Sequence, residues 1–144
     1  MIEAIRHTGI VVNDLDCQIS FYRVLGFSEL SRKQEIGPFI DQVTGIDSVE
    51  VEWVKMKAPD GSVLELLKYH SHSLPIAQQE ATSNQMGCSH IALTVTEINK
   101  ICRAIENSGG SVVNSPALSP DGHVKVAYCH DPEGVLIEVV EEII

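Results

Sequence analysis

Apolar and polar residues alternate along His90-Ile91-Ala92-Leu93-Thr94-Val95, with Ile91, Leu93 and Val95 on one side. That period of two predicts a half-buried strand. Behind it, Ile98, Ile101, Cys102 and Ile105 recur at helical spacing, after Thr96 as N-cap and before Gly109-Gly110 as stop. Leu15, Ile19 and Tyr22 repeat the helical spacing near the N-terminus, with Asn13 or Asp14 as cap and Gly26 as stop. Further strands are predicted over Val49–Met56, Ser62–Tyr69, Ser111–Asn114, Val124–His130 and Val135–Glu141. Asp60-Gly61 and Glu133-Gly134 read as the turns between paired strands.

These elements occur twice in the same order. Arg6-His7-Thr8-Gly9-Ile10-Val11-Val12 aligns with Ser89-His90-Ile91-Ala92-Leu93-Thr94-Val95. Pro59-Asp60-Gly61-Ser62-Val63-Leu64-Glu65 aligns with Pro132-Glu133-Gly134-Val135-Leu136-Ile137-Glu138. A duplicated module follows. The predicted fold is α+β: two tandem βαβββ modules forming a concave mixed sheet. Module one is expected over about 1–70 and module two over 87–144, with the polar stretch 71–86 as linker, in one domain spanning 1–144.

Bulk properties narrow the class. A chain of 144 residues, 44% hydrophobic and 21% charged, suits one globular domain. No apolar run approaches the roughly 18 to 20 residues of a membrane span, so no membrane partner is expected. Met-Ile-Glu-Ala-Ile-Arg-His predicts no secretory signal. Cys17, Cys88, Cys102 and Cys129 form no Cys-x-x-Cys pair and read as reduced thiols, consistent with the cytoplasm. A net charge of −10 excludes nucleic acid as the expected partner, because phosphate backbones require an excess of Lys and Arg.

Two carboxylates stand out. Glu65 lies in Val63-Leu64-Glu65-Leu66-Leu67 and Glu138 in Leu136-Ile137-Glu138-Val139-Val140, strands that read as buried on both faces. A carboxylate there loses hydration, at a cost of several kcal/mol unless it is paired or binds a metal. His7 and His90, at equivalent places near the start of each module's first strand, offer a shared explanation. Two imidazoles and two carboxylates suit one divalent ion such as Zn²⁺, Ni²⁺, Co²⁺, Mn²⁺ or Fe²⁺.

With these residues in view, the chain resembles the vicinal oxygen chelate superfamily of glyoxalases, methylmalonyl-CoA epimerases, extradiol dioxygenases and fosfomycin- and bleomycin-resistance proteins. The resemblance is carried by His7-Thr8-Gly9-Ile10-Val11-Val12-Asn13-Asp14-Leu15, Phe21-Tyr22-Arg23-Val24-Leu25-Gly26-Phe27, Ser89-His90-Ile91-Ala92-Leu93 and Asp131-Pro132-Glu133-Gly134-Val135-Leu136-Ile137-Glu138. It implies paired βαβββ modules around a metal cleft and a small-molecule substrate that chelates the ion. It also implies a metal-dependent lyase or isomerase of glyoxalase type, moving a proton through a metal-stabilised enediolate. Glu138 is then the expected base, with Glu65 as partner. An extradiol-type Fe²⁺ dioxygenase and a non-enzymatic binding or resistance protein are the alternatives. Family members often dimerise, so a homodimer is expected. Asn114 stands where a glutathione-binding arginine would be expected, so the resemblance leaves the substrate unnamed.

Other polar residues are read more plainly. His70 and His72 belong to a strand end, and His130 flanks a turn. His123 lies in a loop of module two that could reach the cleft and is not assigned a role. Phe39, Ile40 and Gln42 fall in an irregular segment read as pocket wall or lid, and Trp53 and Met56 read as core.

Overall fold

The computed structural model describes residues 1–75 and 80–143, so positions 76–79 of the expected linker lie outside the described residues. The chain divides into two compact units, Met1–Ile76 and Ala77–Ile144.

In the first unit, β1 (Thr8–Val11) leads to α1 (Leu15–Val24), β2 (Ser28–Ile36), α2 (Pro38–Thr44), β3 (Glu50–Lys57) and β4 (Val63–Tyr69). Its sheet runs β1-β4-β3-β2, with β1 parallel to β4 and the other pairs antiparallel. In the second unit, β5 (Ile91–Thr94) leads to α3 (Ile98–Asn107), then β6 (Ser111–Val112), β7 (Ala117–Leu118), β8 (Val124–His130) and β9 (Leu136–Glu142). The order there is β5-β9-β8-β6, with β7 also on β8 and β5 parallel to β9. The two orders coincide once β6 and β7 are taken as a broken counterpart of β2. The α+β class and the strand–helix–strands sequence agree with the periodicity of the chain.

One face of each sheet is closed by its helix. In unit one, Leu15, Ile19 and Tyr22 of α1 are buried, as are Val54, Met56, Leu64 and Leu66 of the sheet. In unit two, Ile98, Cys102 and Ile105 of α3 are buried together with Ala127, Cys129, Ile137 and Val139. Burial of these aliphatic and aromatic side chains is the main stabilising term. The helix stops also repeat. Gly26 and Gly109 have φ of +99° and +90°, and a Cβ on them would meet the turn prolines, Pro59 at 3.9 Å and Pro132 at 3.7 Å. A left-handed residue lying against a proline ring favours glycine at both places.

Several expectations are corrected. Residues 38–44 form a helix rather than an irregular segment, because Pro38 fixes its first turn and Gly45, at φ +70°, ends it. Within it Ile40 packs on Val49 and Val51, whereas Phe39 is exposed. Thr96 does not cap α3. Glu97 occupies the cap with φ +57°, and the Glu141 carboxylate on β9 accepts hydrogen bonds from the amides of Glu97 (2.7 Å) and Ile98 (3.3 Å). Strand β2 is not predicted from periodicity, since Ser28–Ile36 is polar apart from Leu30 and Ile36 and is almost wholly exposed. Its ladder to β3 supplies the hydrogen bonds that its side chains do not advertise.

His130 ties down the chain entering unit two. Its side chain is buried, its Nε2 lies 2.7 Å from the Ala81 carbonyl, and the Ala81 amide donates to the Gly134 carbonyl at 3.0 Å. Among the described residues no helix is long and apolar enough to cross a membrane.

Candidate functional site

Each unit brings one predicted histidine and one predicted glutamate together. His7 immediately precedes β1, and its Nε2 lies 3.6 Å from Glu65 Oε1. His90 immediately precedes β5, and its Nε2 lies 3.2 Å from Glu138 Oε2. The cause is a shared register. Glu65 pairs with Gly9 on the parallel neighbour strand, and Glu138 pairs with Ala92. In both cases the histidine stands two residues before that partner, which places it on the same face as the glutamate. Gly9 and Ala92 are small, so neither side chain stands between its His and Glu.

This face is the one opposite the helix. Strand β4 is therefore fully buried only through Leu64 and Leu66, while Glu65 and Leu67 are half-buried. The expectation of burial on both faces is corrected accordingly: side-chain exposure is 13% for Glu65 and 23% for Glu138. Both carboxylates are accessible to a ligand yet shielded enough that a charge near them is felt.

The antiparallel neighbours distinguish the two sites. Glu65 pairs across the ladder with Lys55, and Glu138 with Tyr128. Lys55 Nζ lies 4.0 Å from Glu65 Oε2 and 4.7 Å from the Trp53 ring centroid. The Tyr128 ring meets the His90 ring edge-on at 5.2 Å, and Ser89 Oγ lies 3.0 Å from His90 Nδ1. Trp53 is thus half-buried on the functional face, not core, whereas Met56 is buried as expected. Lys55 and Tyr128 were missed from the sequence. The signal was present, because each lies five residues before the acidic turn residue that its Glu follows by five.

Farther along β2, Glu35 is held below the ordinary carboxylate range of 4.5, first by a hydrogen bond from Lys33 and also by one from Trp53. On the helix side, Glu52 meets Arg32 (2.6 Å) and His70 (2.9 Å), so His70 has a carboxylate partner at its strand end. His72 is exposed beyond it. His123 is exposed in the Ser119–Val124 turn, 3.8 Å from Asp121, and β8 pairs Val124 with Glu142 rather than with Glu138. Asn114 is exposed between β6 and β7.

The donor chemistry of each pair, an imidazole Nε2 facing a half-buried carboxylate, suits a borderline divalent ion. Among the described residues no group of three or more His, Cys, Asp or Glu side chains gathers within metal-binding reach, so each unit presents a two-residue set.

Two copies of one βαβββ unit, each with a histidine before its first strand and a glutamate on the parallel partner, define a duplicated α+β module protein. The chain belongs to the Glyoxalase/Bleomycin resistance protein/Dioxygenase superfamily, whose family model matches residues 4–139. It is 31% identical to a probable lactoylglutathione lyase of Synechocystis sp. over 94% of this chain and 92% of that protein. A probable lactoylglutathione lyase of Vibrio cholerae is 31% identical over 95% of this chain and 89% of its own length. The crystal structure of a glyoxalase family protein from Bacillus cereus superposes with a TM-score of 0.91 at 27% identity, covering 99% of this chain and 96% of that one.

Proposed function

We propose that the chain is a metal-dependent lyase or isomerase acting on a small α-oxygenated carbonyl compound, with His7, Glu65, His90 and Glu138 as ligands of one divalent ion. The supporting observation is the repeated register: His two residues before the strand partner of Glu, on the face away from the helix, in both units. Relatives named lactoylglutathione lyase support the same class of chemistry. A bound divalent ion supplies Lewis acidity, drawing electron density from a carbonyl oxygen and so acidifying the adjacent carbon.

The chain's own residues do the rest. Glu138 takes the proton from that carbon and returns it to the neighbouring one, a general-base and general-acid role. Its Oε2 faces His90, and its other oxygen has no ion pair among the described residues. Glu65 is the positioning partner, with His7 at Oε1 and Lys55 at Oε2. Ser89 beside Nδ1 and Tyr128 against the ring edge orient the His90 imidazole. We read the protein as a cytoplasmic homodimer with its reduced thiols intact.

Metal analysis of the purified protein tests the reading. About one divalent ion per chain is expected, with loss of the ion in His7→Ala, Glu65→Ala, His90→Ala and Glu138→Ala. Metal content unchanged in all four variants would overturn it.

A further inference from the structure

The half-site of unit one carries a cation at a ladder position that an aromatic residue holds in unit two. Lys55 and Tyr128 hold the same ladder position beside Glu65 and Glu138. Lys55 is not consumed by Glu65, because 4.0 Å exceeds hydrogen-bond length and an ion pair between partly exposed groups is weak. The other nearby carboxylate, Glu35, pairs with Lys33 at 2.9 Å and feels Lys55 only through its charge. The Trp53 indole, beside Glu35, lies under the Lys55 ammonium at 4.7 Å. The Lys55 ammonium therefore sits over the indole on a half-open face, with 28% of the side chain exposed.

We infer that Lys55, braced on Trp53, is the specificity-determining residue for an oxyanion group, carboxylate or phosphate, carried by the substrate beside its reacting carbonyl. This rests on the reading of His7 and Glu65 as part of the reaction site. Lys55 is shared between two acceptors: Glu65 holds it loosely, and an incoming anion competes for the same ammonium. Removing the Glu65 charge therefore strengthens anion binding, and removing the Lys55 charge abolishes the preference for an anion over its neutral analogue.

Trp53 is the chain's single tryptophan, so its emission reports on this position alone. The test titrates metal-free protein at neutral pH and constant ionic strength with pyruvate, and separately with methyl pyruvate. Pyruvate is expected to change Trp53 emission saturably, and methyl pyruvate to leave it unchanged. Lys55→Met should weaken pyruvate binding about tenfold, the scale of a lost charge-assisted hydrogen bond, while Lys55→Arg stays within about threefold. Glu65→Gln should tighten it. Wild-type-like titration of Lys55→Met, equal response to both esterified and free acid, or no response in wild type and Glu65→Gln would each overturn the inference. Metal content does not enter this measurement, so failure of the metal-site reading shows itself separately.

Discussion

His90 Nε2 lies 3.2 Å from one oxygen of Glu138 and leaves the other without an ion pair among the described residues, whereas Glu65 has His7 at one oxygen and Lys55 at the other. Duplication produced equivalent positions; the side chains across the ladder made them unequal. A carboxylate with an oxygen to spare can move a proton, and one with a neighbour at each oxygen serves better to hold position.

Replacing either carboxylate by its amide separates these roles. Glu138→Gln keeps size and hydrogen-bonding capacity but removes the basic oxygen, and is expected to lower kcat by about 10²- to 10⁴-fold, the usual contribution of a positioned base. Glu65→Gln is expected to weaken metal binding more than Glu138→Gln does. Metal titration followed by rate measurement at saturating metal checks both, and full turnover by Glu138→Gln would reassign the base.

Glu141 caps α3 from a neighbouring strand, a role that local sequence does not reveal. The carboxylate takes up two amides of the first turn and complements the positive end of the helix. Glu141→Ala is expected to lower stability by about 1 kcal/mol, read as a reduced urea midpoint at unchanged slope.

Gln18 is fully buried in α1, and among the described residues neither its amide nitrogen nor its oxygen has a hydrogen-bond partner. Leaving an amide unsatisfied costs about 1–3 kcal/mol, while an apolar side chain of similar length removes that cost. Gln18→Met is therefore expected to raise the urea midpoint. A lower midpoint would mean that the amide makes a bond in solution.

Much of this architecture was legible because periodicity records burial. Ile98, Cys102 and Ile105 recur at helical spacing since they meet a sheet, and Val124–His130 was delimited to the residue. The His and Glu candidates were legible from the repeat, which gave each a counterpart. What stayed hidden lacked an apolar signature. Strand β2 is held by backbone hydrogen bonds at an exposed edge, and α2 is too short to show a period. The cap from Glu141 joins residues more than forty positions apart. Trp53 reads as core because an indole is large and apolar, although Lys33 and Lys55 neighbour it on that face.

The cysteines divide by environment. Cys102 and Cys129 are buried between α3 and β8, and burial pushes the Cys129 thiol up to about 12, with the Cys102 thiol adding to the shift. Cys17 and Cys88 are exposed. Since the thiolate is the reactive form, iodoacetamide at mildly alkaline pH is expected to modify the exposed pair in the native protein. Modification of all four should require denaturant. Mass spectrometry counts the adducts, and rapid native labelling of Cys129 would contradict its placement.

Glu52 gives the acid limb of stability a defined sign. Its carboxyl is held below the ordinary value of 4.5, first by the His70 hydrogen bond and then by Arg32. Arg32 stays charged throughout the acid range. A folded-state value below the unfolded one means that the unfolded chain binds the proton more readily, so protonation favours unfolding. The stabilisation is fully present above 4.5 and is lost as pH falls through the lowered folded value. Glu52→Gln removes this linkage while keeping the shape of the side chain. The gap in urea midpoint between wild type and variant is expected to be present at about pH 6 and to shrink by about pH 3. An equal gap at both pH values would show that Glu52 stabilises the fold through packing or neutral hydrogen bonds instead of its charge.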